Sequence, residues 1–169
     1  MDFDLSVLTK PGRLHFGAIQ AEIYRAPEVI LDSGYTFSAD IWSLGVLLWD
    51  LLERKRLFDP HTPEKPDEYD DAVHLAQITS LLSYPPGSLV SSGRRSSRFY
   101  DDNNPEIPKG SQPLSRNVSF EGSINQIKGE EKSRFISFVK RMIKWKPEER
   151  STAKELLGDP WLYEDFPQD

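Results

Sequence analysis

The segment SADIWSLGVLLWDLLER, residues 38–54, predicts a helix with apolar residues on nearly every face. Ser38 or Asp40 is placed to cap its first turn, and charged residues from Glu53 onward close its C-terminal end. A helix that is apolar all round is normally buried inside a protein. We therefore predict that this helix is the central element of a core, with the other helices packed around it.

The rest of the chain is also predicted to be mainly α. Apolar residues recur at helical spacing in 72–84 and 129–145, and Thr152 with Glu155 has the spacing of a capping box before a short helix. Residues 88–126 are rich in Ser, Gly, Pro, Asn and Arg with weak periodicity, which is typical of a long irregular insertion. Strands do not alternate with helices, so a parallel sheet is excluded.

Charge and composition exclude several classes of function. The chain has 169 residues, no cysteine, three histidines and a net charge of −6. An acidic protein is a poor binder of nucleic acid, because phosphates require a basic surface. Disulfides and cysteine-based zinc sites are impossible, and the apolar run 41–52 is too short to span a membrane. The acidic N-terminus does not resemble a signal peptide, so we expect an intracellular protein, in cytoplasm or nucleus.

Three short motifs occur along the chain in a fixed order. They are Ala26-Pro27-Glu28, then Asp40-x-Trp42-Ser43-x-Gly45, and finally Pro147-x-x-Arg150. Each is weak alone, but together, with Asp40 twelve positions after Glu28 inside the buried-helix pattern, they closely resemble the C-terminal helical lobe of eukaryotic protein kinases. The resemblance covers the chain except parts of 88–126, and it implies an incomplete helical lobe with a long irregular insertion between two helices.

The resemblance divides the chain into four parts. Residues 1–28 correspond to the activation segment, 29–87 to the central helix and the helix after it, 88–128 to the insertion, and 129–169 to the last helices of the lobe. Tyr24-Arg25 before Ala26 is similar to the group that contains the cyclin-dependent, MAP and SR-protein kinases. Within that group the chain looks most like the SR-protein-kinase-like Ser/Thr kinases of fungi.

The resemblance also implies roles for single residues. Glu28 is expected to pair with Arg150 and so hold the end of the activation segment on the helical lobe. Asp40 is expected to hold the backbone of a catalytic loop, with helix capping as the alternative, and Trp42 belongs to the core. Arg25 is expected to settle the substrate-facing loop.

Several parts of a working kinase are absent from these 169 residues. The sequence contains no G-x-G-x-x-G, no V-A-I-K-like strand and no H-R-D, all of which would precede residue 1. Asp2-Phe3-Asp4 stands where the family has Asp-Phe-Gly, so Asp2 is a candidate magnesium ligand, with a plain acidic start as the alternative. ATP and Mg²⁺ would serve the complete kinase, and we expect neither to bind this chain tightly and no activity from it alone.

The missing segments have a consequence for the central helix. Since the loop and helix that would cover one side of it are absent, we expect Trp42, Leu48 or Trp49 to be exposed.

Two charged segments offer further hypotheses. An acidic run that includes Asp67, Glu68, Asp70 and Asp71 precedes the helix that, in SR-protein kinases, helps to bind Arg-rich substrates, so it is a candidate docking site for basic peptides, or simply a solvated loop. GRRSSRF, residues 93–99, is either a phosphorylation site or an ordinary polar insertion.

Two functions remain open at this point. The first is part of a Ser/Thr protein kinase that phosphorylates a protein substrate, with Arg/Ser-rich proteins as the expected class. The second is a non-catalytic module that docks basic peptides or a kinase partner.

Overall fold

The computed structural model describes residues 6–101, 109 and 118–164. The described residues form eight α-helices and three short 3₁₀ turns. The helices are α1 Pro27–Ile30, α2 Ser38–Glu53, α3 Asp71–Leu82, α4 Gly87–Ser92, α5 Ser96–Phe99, α6 Phe120–Ser123, α7 Gly129–Val139 and α8 Ala153–Leu156; the 3₁₀ turns are Glu22–Tyr24, Pro147–Glu149 and Pro160–Leu162. Extended structure in these ranges is limited to isolated bridges, one of which joins His15 to Tyr35. The predicted mainly α fold is confirmed.

Helix α2 organises the hydrophobic core through its two tryptophans, both of which are fully buried. Trp42 stacks on Phe58 with ring centroids 6.1 Å apart. Trp49 contacts Phe120 and Phe135 at 5.9 and 5.4 Å, and its Nε1 donates to Ser123. The core therefore joins α2 to the loop after it, to α6 and to α7.

The prediction that Trp42 or Trp49 is exposed was wrong. Aromatic residues from distant parts of the chain cover both rings, and Leu48 is half-buried. The exposed apolar residues of this helix lie on another stripe, at Phe37, Leu44 and Leu51, which are 53%, 45% and 65% exposed. One face of α2 thus lacks a cover among the described residues, but its tryptophans point away from that face.

The described parts of the insertion are more regular than the sequence indicates. They contain α4, α5 and α6, and the C-terminal end of α2 binds its last part directly. The buried carboxylate of Glu53 accepts hydrogen bonds from the backbone N–H groups of Asn125 and Gln126 at 2.8 and 3.0 Å. Sequence analysis placed Glu53 only among the charged residues that close the helix, because hydrophobic periodicity carries no information on a carboxylate that binds backbone amides.

Neither Ser38 nor Asp40 caps α2. The N-cap residue is Phe37, which has no side-chain capping bond, and the Ser38 hydroxyl instead lies 3.1 Å from Thr36 Oγ1. Both predicted caps already lie within the first helical turn. Among the described residues, no helix combines the length and apolar character needed to cross a membrane.

Candidate functional site

A buried ion pair joins two of the motifs across the molecule. Arg150 donates to Glu28 through both terminal nitrogens, NH1 to Oε1 at 2.6 Å and NH2 to Oε2 at 2.7 Å. Both side chains are completely buried. The remaining guanidinium donors reach the carbonyl oxygens of Ser38 at 2.9 Å and Lys144 at 3.0 Å. The pair implied by the family resemblance is therefore present, and its charges are compensated in the interior.

Local sequence explains how the two residues reach each other. Pro27 occupies the first position of α1, where its fixed φ and missing N–H are tolerated, so Glu28 is held in the first turn. Pro147 starts the 3₁₀ turn that ends at Arg150. The guanidinium carbon of Arg150 also lies 5.0 Å from the centre of the Trp42 ring, which gives Trp42 a contact with the pair.

The close approach of helices explains the glycine in the second motif. A Cβ atom on Gly45 would lie 2.9 Å from Ile143 Cγ1 and 3.1 Å from Met142 Cβ, both in the segment that follows α7. Gly45 is therefore required for α2 to pack against this segment.

Asp40 lies in a groove beside the uncovered face of α2. Its side chain is exposed, and its carboxylate accepts no hydrogen bond from the described residues. The groove has a volume of about 730 Å³ and is also lined by Tyr24, Phe37 and Leu44. Its walls remove part of the hydration of the carboxyl, which raises the pKa of Asp40 above its ordinary value. Asp40 is thus placed to receive donors from outside the described residues.

Hydrogen bonds fasten the segment before Ala26 to α2. The Ser43 hydroxyl donates to the Tyr24 carbonyl at 3.0 Å, and the Tyr24 hydroxyl donates to Asp50. The hydrogen bond to Asp50 and burial together raise the pKa of Tyr24 above its ordinary value. Tyr24 therefore connects this segment to the central helix.

Gln20 also connects this segment to α2, and sequence analysis missed it. Its side-chain amide donates to the Ala39 carbonyl at 2.8 Å and to Ser43 Oγ at 2.7 Å, and its oxygen accepts from the Ala26 N–H at 2.9 Å. The backbone of Gln20 has a positive φ of 68°. No sequence signal marks this residue, because its partners are backbone groups and a serine.

The acidic run contains residues with different partners. Asp70 caps α3 by accepting from the N–H groups of Ala72 and Val73. Asp71 binds Arg95 at 2.6 Å and lies 3.7 Å from Arg25. Two of the four predicted docking carboxylates therefore have partners inside the fold.

The other two carboxylates lie at the surface. Glu68 pairs with Lys65 at 2.6 Å, and Asp67 is exposed in the loop before α3. Docking of basic peptides stays a prediction, and the exposed charge for it is centred on Asp67.

No group of three or more His, Asp or Glu side chains within 6–101, 109 and 118–164 is placed to hold a metal ion. Asp2, the predicted magnesium ligand, lies outside the described residues.

Comparison with known proteins agrees with this geometry. The family model of the protein kinase domain matches residues 1–162. The chain belongs to the protein kinase domain family.

The relatives of the chain are kinases of more than one kind. A serine/threonine protein kinase of Aspergillus fumigatus is 41% identical over 89% of the chain. Human dual specificity tyrosine-phosphorylation-regulated kinase 3 is 32% identical over 89%, and serine/threonine-protein kinase SRPK of Physarum polycephalum is 28% identical over 85%. The matched region makes up 37%, 27% and 34% of these proteins, so the chain spans about a third of their length.

Proposed function

We propose that the chain is the activation segment and helical lobe of a Ser/Thr protein kinase of the SR-protein-kinase-like type, in the group that also contains the cyclin-dependent and MAP kinases. The observation that carries this proposal is the buried, bidentate pair between Glu28 and Arg150. It fixes the Ala26-Pro27-Glu28 motif on the lobe, so the segment before it has a defined position. The similarity to the kinases of Aspergillus and Physarum supports the same assignment.

In this proposal the chain helps to position other parts of the kinase and does not itself carry out phosphoryl transfer. Transfer of the γ-phosphate requires a phosphate-covering loop, a lysine and a catalytic-loop aspartate, none of which occurs in the 169 residues. The free carboxylate of Asp40 is the group that would hold the catalytic-loop backbone. The complete kinase would use ATP and Mg²⁺, and Asp2 would be a magnesium ligand. The chain alone is expected to bind neither tightly and to be inactive.

The proposed substrates are proteins with Arg/Ser-rich segments. The exposed side chain of Asp67 and its neighbour Glu68 present negative charge before α3, which would attract and orient a basic peptide. A double variant, Asp67→Asn with Glu68→Gln, should weaken binding of an Arg/Ser-repeat peptide to the chain, as measured by fluorescence anisotropy. The matched control is Glu148→Gln, which removes an exposed charge elsewhere and should leave binding unchanged.

The kinase assignment is tested on the native protein. An antibody to residues 130–160 would be used to measure its mass in the source cells and to immunoprecipitate it for a phosphotransfer assay with Ser-containing and Tyr-containing basic peptides. We expect a band about twice the 19.4 kDa of this chain or larger, and transfer to serine. A native band at 19.4 kDa without phosphotransfer would contradict the proposal.

The second candidate is a binding module without catalysis. The uncovered stripe of Phe37, Leu44 and Leu51 favours it, because exposed apolar surface commonly marks a contact with another protein. The immunoprecipitation separates the two functions. Only a binding module is expected to give a 19.4 kDa protein that binds the Arg/Ser peptide without phosphorylating it.

A further inference from the structure

The Gly93-Arg94-Arg95 motif of the insertion lies against the chain that follows α1. The backbone N–H groups of Arg94 and Arg95 donate to the carbonyl oxygens of Asp32 and Leu31 at 3.3 and 3.0 Å. A Cβ atom on Gly93 would lie 2.9 Å from the Leu31 carbonyl oxygen, so only glycine permits this approach. The insertion is therefore joined to the C-terminal end of α1 by main-chain contacts.

Arg94 adds a contact with the segment before Ala26. Its guanidinium carbon lies 3.6 Å from the centre of the Phe16 ring, which is the geometry of a cation–π interaction. The ring of Phe16 in turn lies against Gly34, where a Cβ atom would be 3.2 Å from Phe16 Cε1. The bridge between His15 and Tyr35 brings the two backbones together beside this contact. Arg94 thus covers the outer face of a ring that belongs to the segment.

Arg95 reaches the same segment through a shared carboxylate. Its NH1 donates to the Ile30 carbonyl at 3.0 Å, and its NH2 donates to Asp71 Oδ2 at 2.6 Å. The other oxygen of Asp71 lies 3.7 Å from NH1 of Arg25. The three side chains are between 15% and 32% exposed, so solvent screens their charges only partly. Asp71 is therefore a link between the insertion and Arg25.

We propose that Arg94 and Arg95 are positioning residues through which the insertion orders the substrate-facing segment 15–26. Arg94 acts on Phe16, and Arg95 acts on Arg25 through Asp71. Of the two serines in GRRSSRF, Ser96 is buried and Ser97 is exposed, so phosphorylation of this motif stays a prediction for Ser97 only. The ordering is a property of this chain; only its consequence for substrate binding depends on the proposed kinase function.

The test is hydrogen–deuterium exchange of the whole chain, with peptides from 15–26 compared with peptides from α2 and α7. Arg95→Ala should raise the local opening constant of 15–26 roughly tenfold or more, because a hydrogen bond to a charged group is lost. Arg94→Ala should raise this opening constant about threefold, because it removes a partly exposed cation–π contact. Exchange in α2 and α7 should stay at the wild-type rate. Arg98→Ala is the matched control, since Arg98 is exposed in the same motif and should leave all exchange unchanged.

A double-mutant cycle distinguishes positioning from general loss of stability. Phe16→Leu keeps an apolar side chain but removes the ring, so it should have the same local effect as Arg94→Ala, and the double variant should add little to either. Equal acceleration in α2 and α7, or unchanged exchange in 15–26, would overturn the proposal. Because no ATP or substrate is present, a failed phosphotransfer assay leaves this result standing, and a failed exchange experiment leaves the kinase assignment standing.

Discussion

Two buried ionisable residues, Glu28 and His74, show how differently burial affects single side chains. Glu28 accepts two hydrogen bonds from the guanidinium of Arg150. His74 is fully buried, and its one hydrogen-bond partner is the Tyr69 hydroxyl, 3.0 Å from Nδ1, so no carboxylate compensates a positive charge there. Burial, with a smaller contribution from Arg25, lowers the pKa of His74 to about 3. Glu28 is therefore buried with an oppositely charged partner, whereas His74 is buried as the neutral form.

The first prediction concerns the buried pair. Glu28→Ala should lower the free energy of unfolding by about 3–5 kcal/mol, because Arg150 is left as an uncompensated buried charge. Urea denaturation followed by circular dichroism measures this loss of unfolding free energy. The same spectra show whether the variant fails to fold. The control is Glu130→Ala, which breaks an exposed pair with Arg134 on α7 and should cost about 0.5 kcal/mol or less. Equal losses in the two variants would contradict the role given to the pair.

The second prediction concerns the pH dependence of stability. The folded-state pKa of His74 lies below its ordinary value of 6.5, so protons bind the unfolded chain more tightly. Its stabilising contribution is therefore complete above pH 6.5, and falls by up to about 1.4 kcal/mol per pH unit as the pH drops toward 3. His74→Gln should flatten the plot of unfolding free energy against pH between 6.5 and 4. Leu8→Ala, at an exposed position without a titratable group, should keep the wild-type slope.

At the scale of elements, α2 determines how the other helices pack. Its buried tryptophans contact rings from three separate parts of the chain, and its Glu53 binds the end of the insertion. The helix ends at Arg54, whose left-handed φ of 52° reverses the chain direction. The absence of a side chain at Gly45 sets how closely the segment after α7 can approach. A single residue therefore controls the packing of a whole element.

The third prediction tests this packing. Gly45→Val should lower the free energy of unfolding by about 1–3 kcal/mol, because Ile143 is buried and cannot move away from the new methyl groups. Thermal unfolding would report the change. Gly87→Ala is the control, since a Cβ atom at that position in α4 has no neighbour within 4 Å. It should be neutral or slightly stabilising, as helix propensity favours alanine. A Gly45→Val protein as stable as wild type would rule out the close approach.

At the scale of the whole molecule, the uncovered stripe of α2 is the feature that most affects behaviour in solution. Phe37, Leu44 and Leu51 recur every seven residues, so they lie along one side of the helix. Apolar surface on one side of an otherwise acidic chain favours association with another surface. The kinase assignment accounts for the stripe if the preceding part of a complete kinase covers it.

The fourth prediction follows from this surface. A Leu44→Glu, Leu51→Glu variant should bind less of the dye ANS and sediment as a smaller species than wild type at equal concentration. Its free energy of unfolding should change by only about 0.5 kcal/mol per site, because both side chains are already largely exposed. Leu8→Glu, which alters the most exposed of the large apolar residues described, is the control and should leave association unchanged. Persistent self-association of the double variant would show that another surface is responsible.

Periodicity was sufficient for the mainly α fold and the buried central helix, whereas the pairing of Glu28 with Arg150 was implied only by the resemblance to protein kinases. These properties depend on residues close in the chain or on motifs whose geometry recurs in a family. The uncovered face of α2 was predicted too, but with the wrong residues. A helix that is apolar on every side does not reveal which side its partners cover.

The remaining contacts join segments that are distant in sequence and have no common pattern. Examples are Gln20 on Ser43, Glu53 on the amides of Asn125 and Gln126, and Arg94 on Phe16. Most of their partners are backbone groups, which nearly every residue has, or aromatic rings, which many residues have. The sequence therefore does not show which of them a given side chain contacts. Packing around α2 decides which partner each residue contacts, because it brings the insertion and residues 15–26 to the same side of the core.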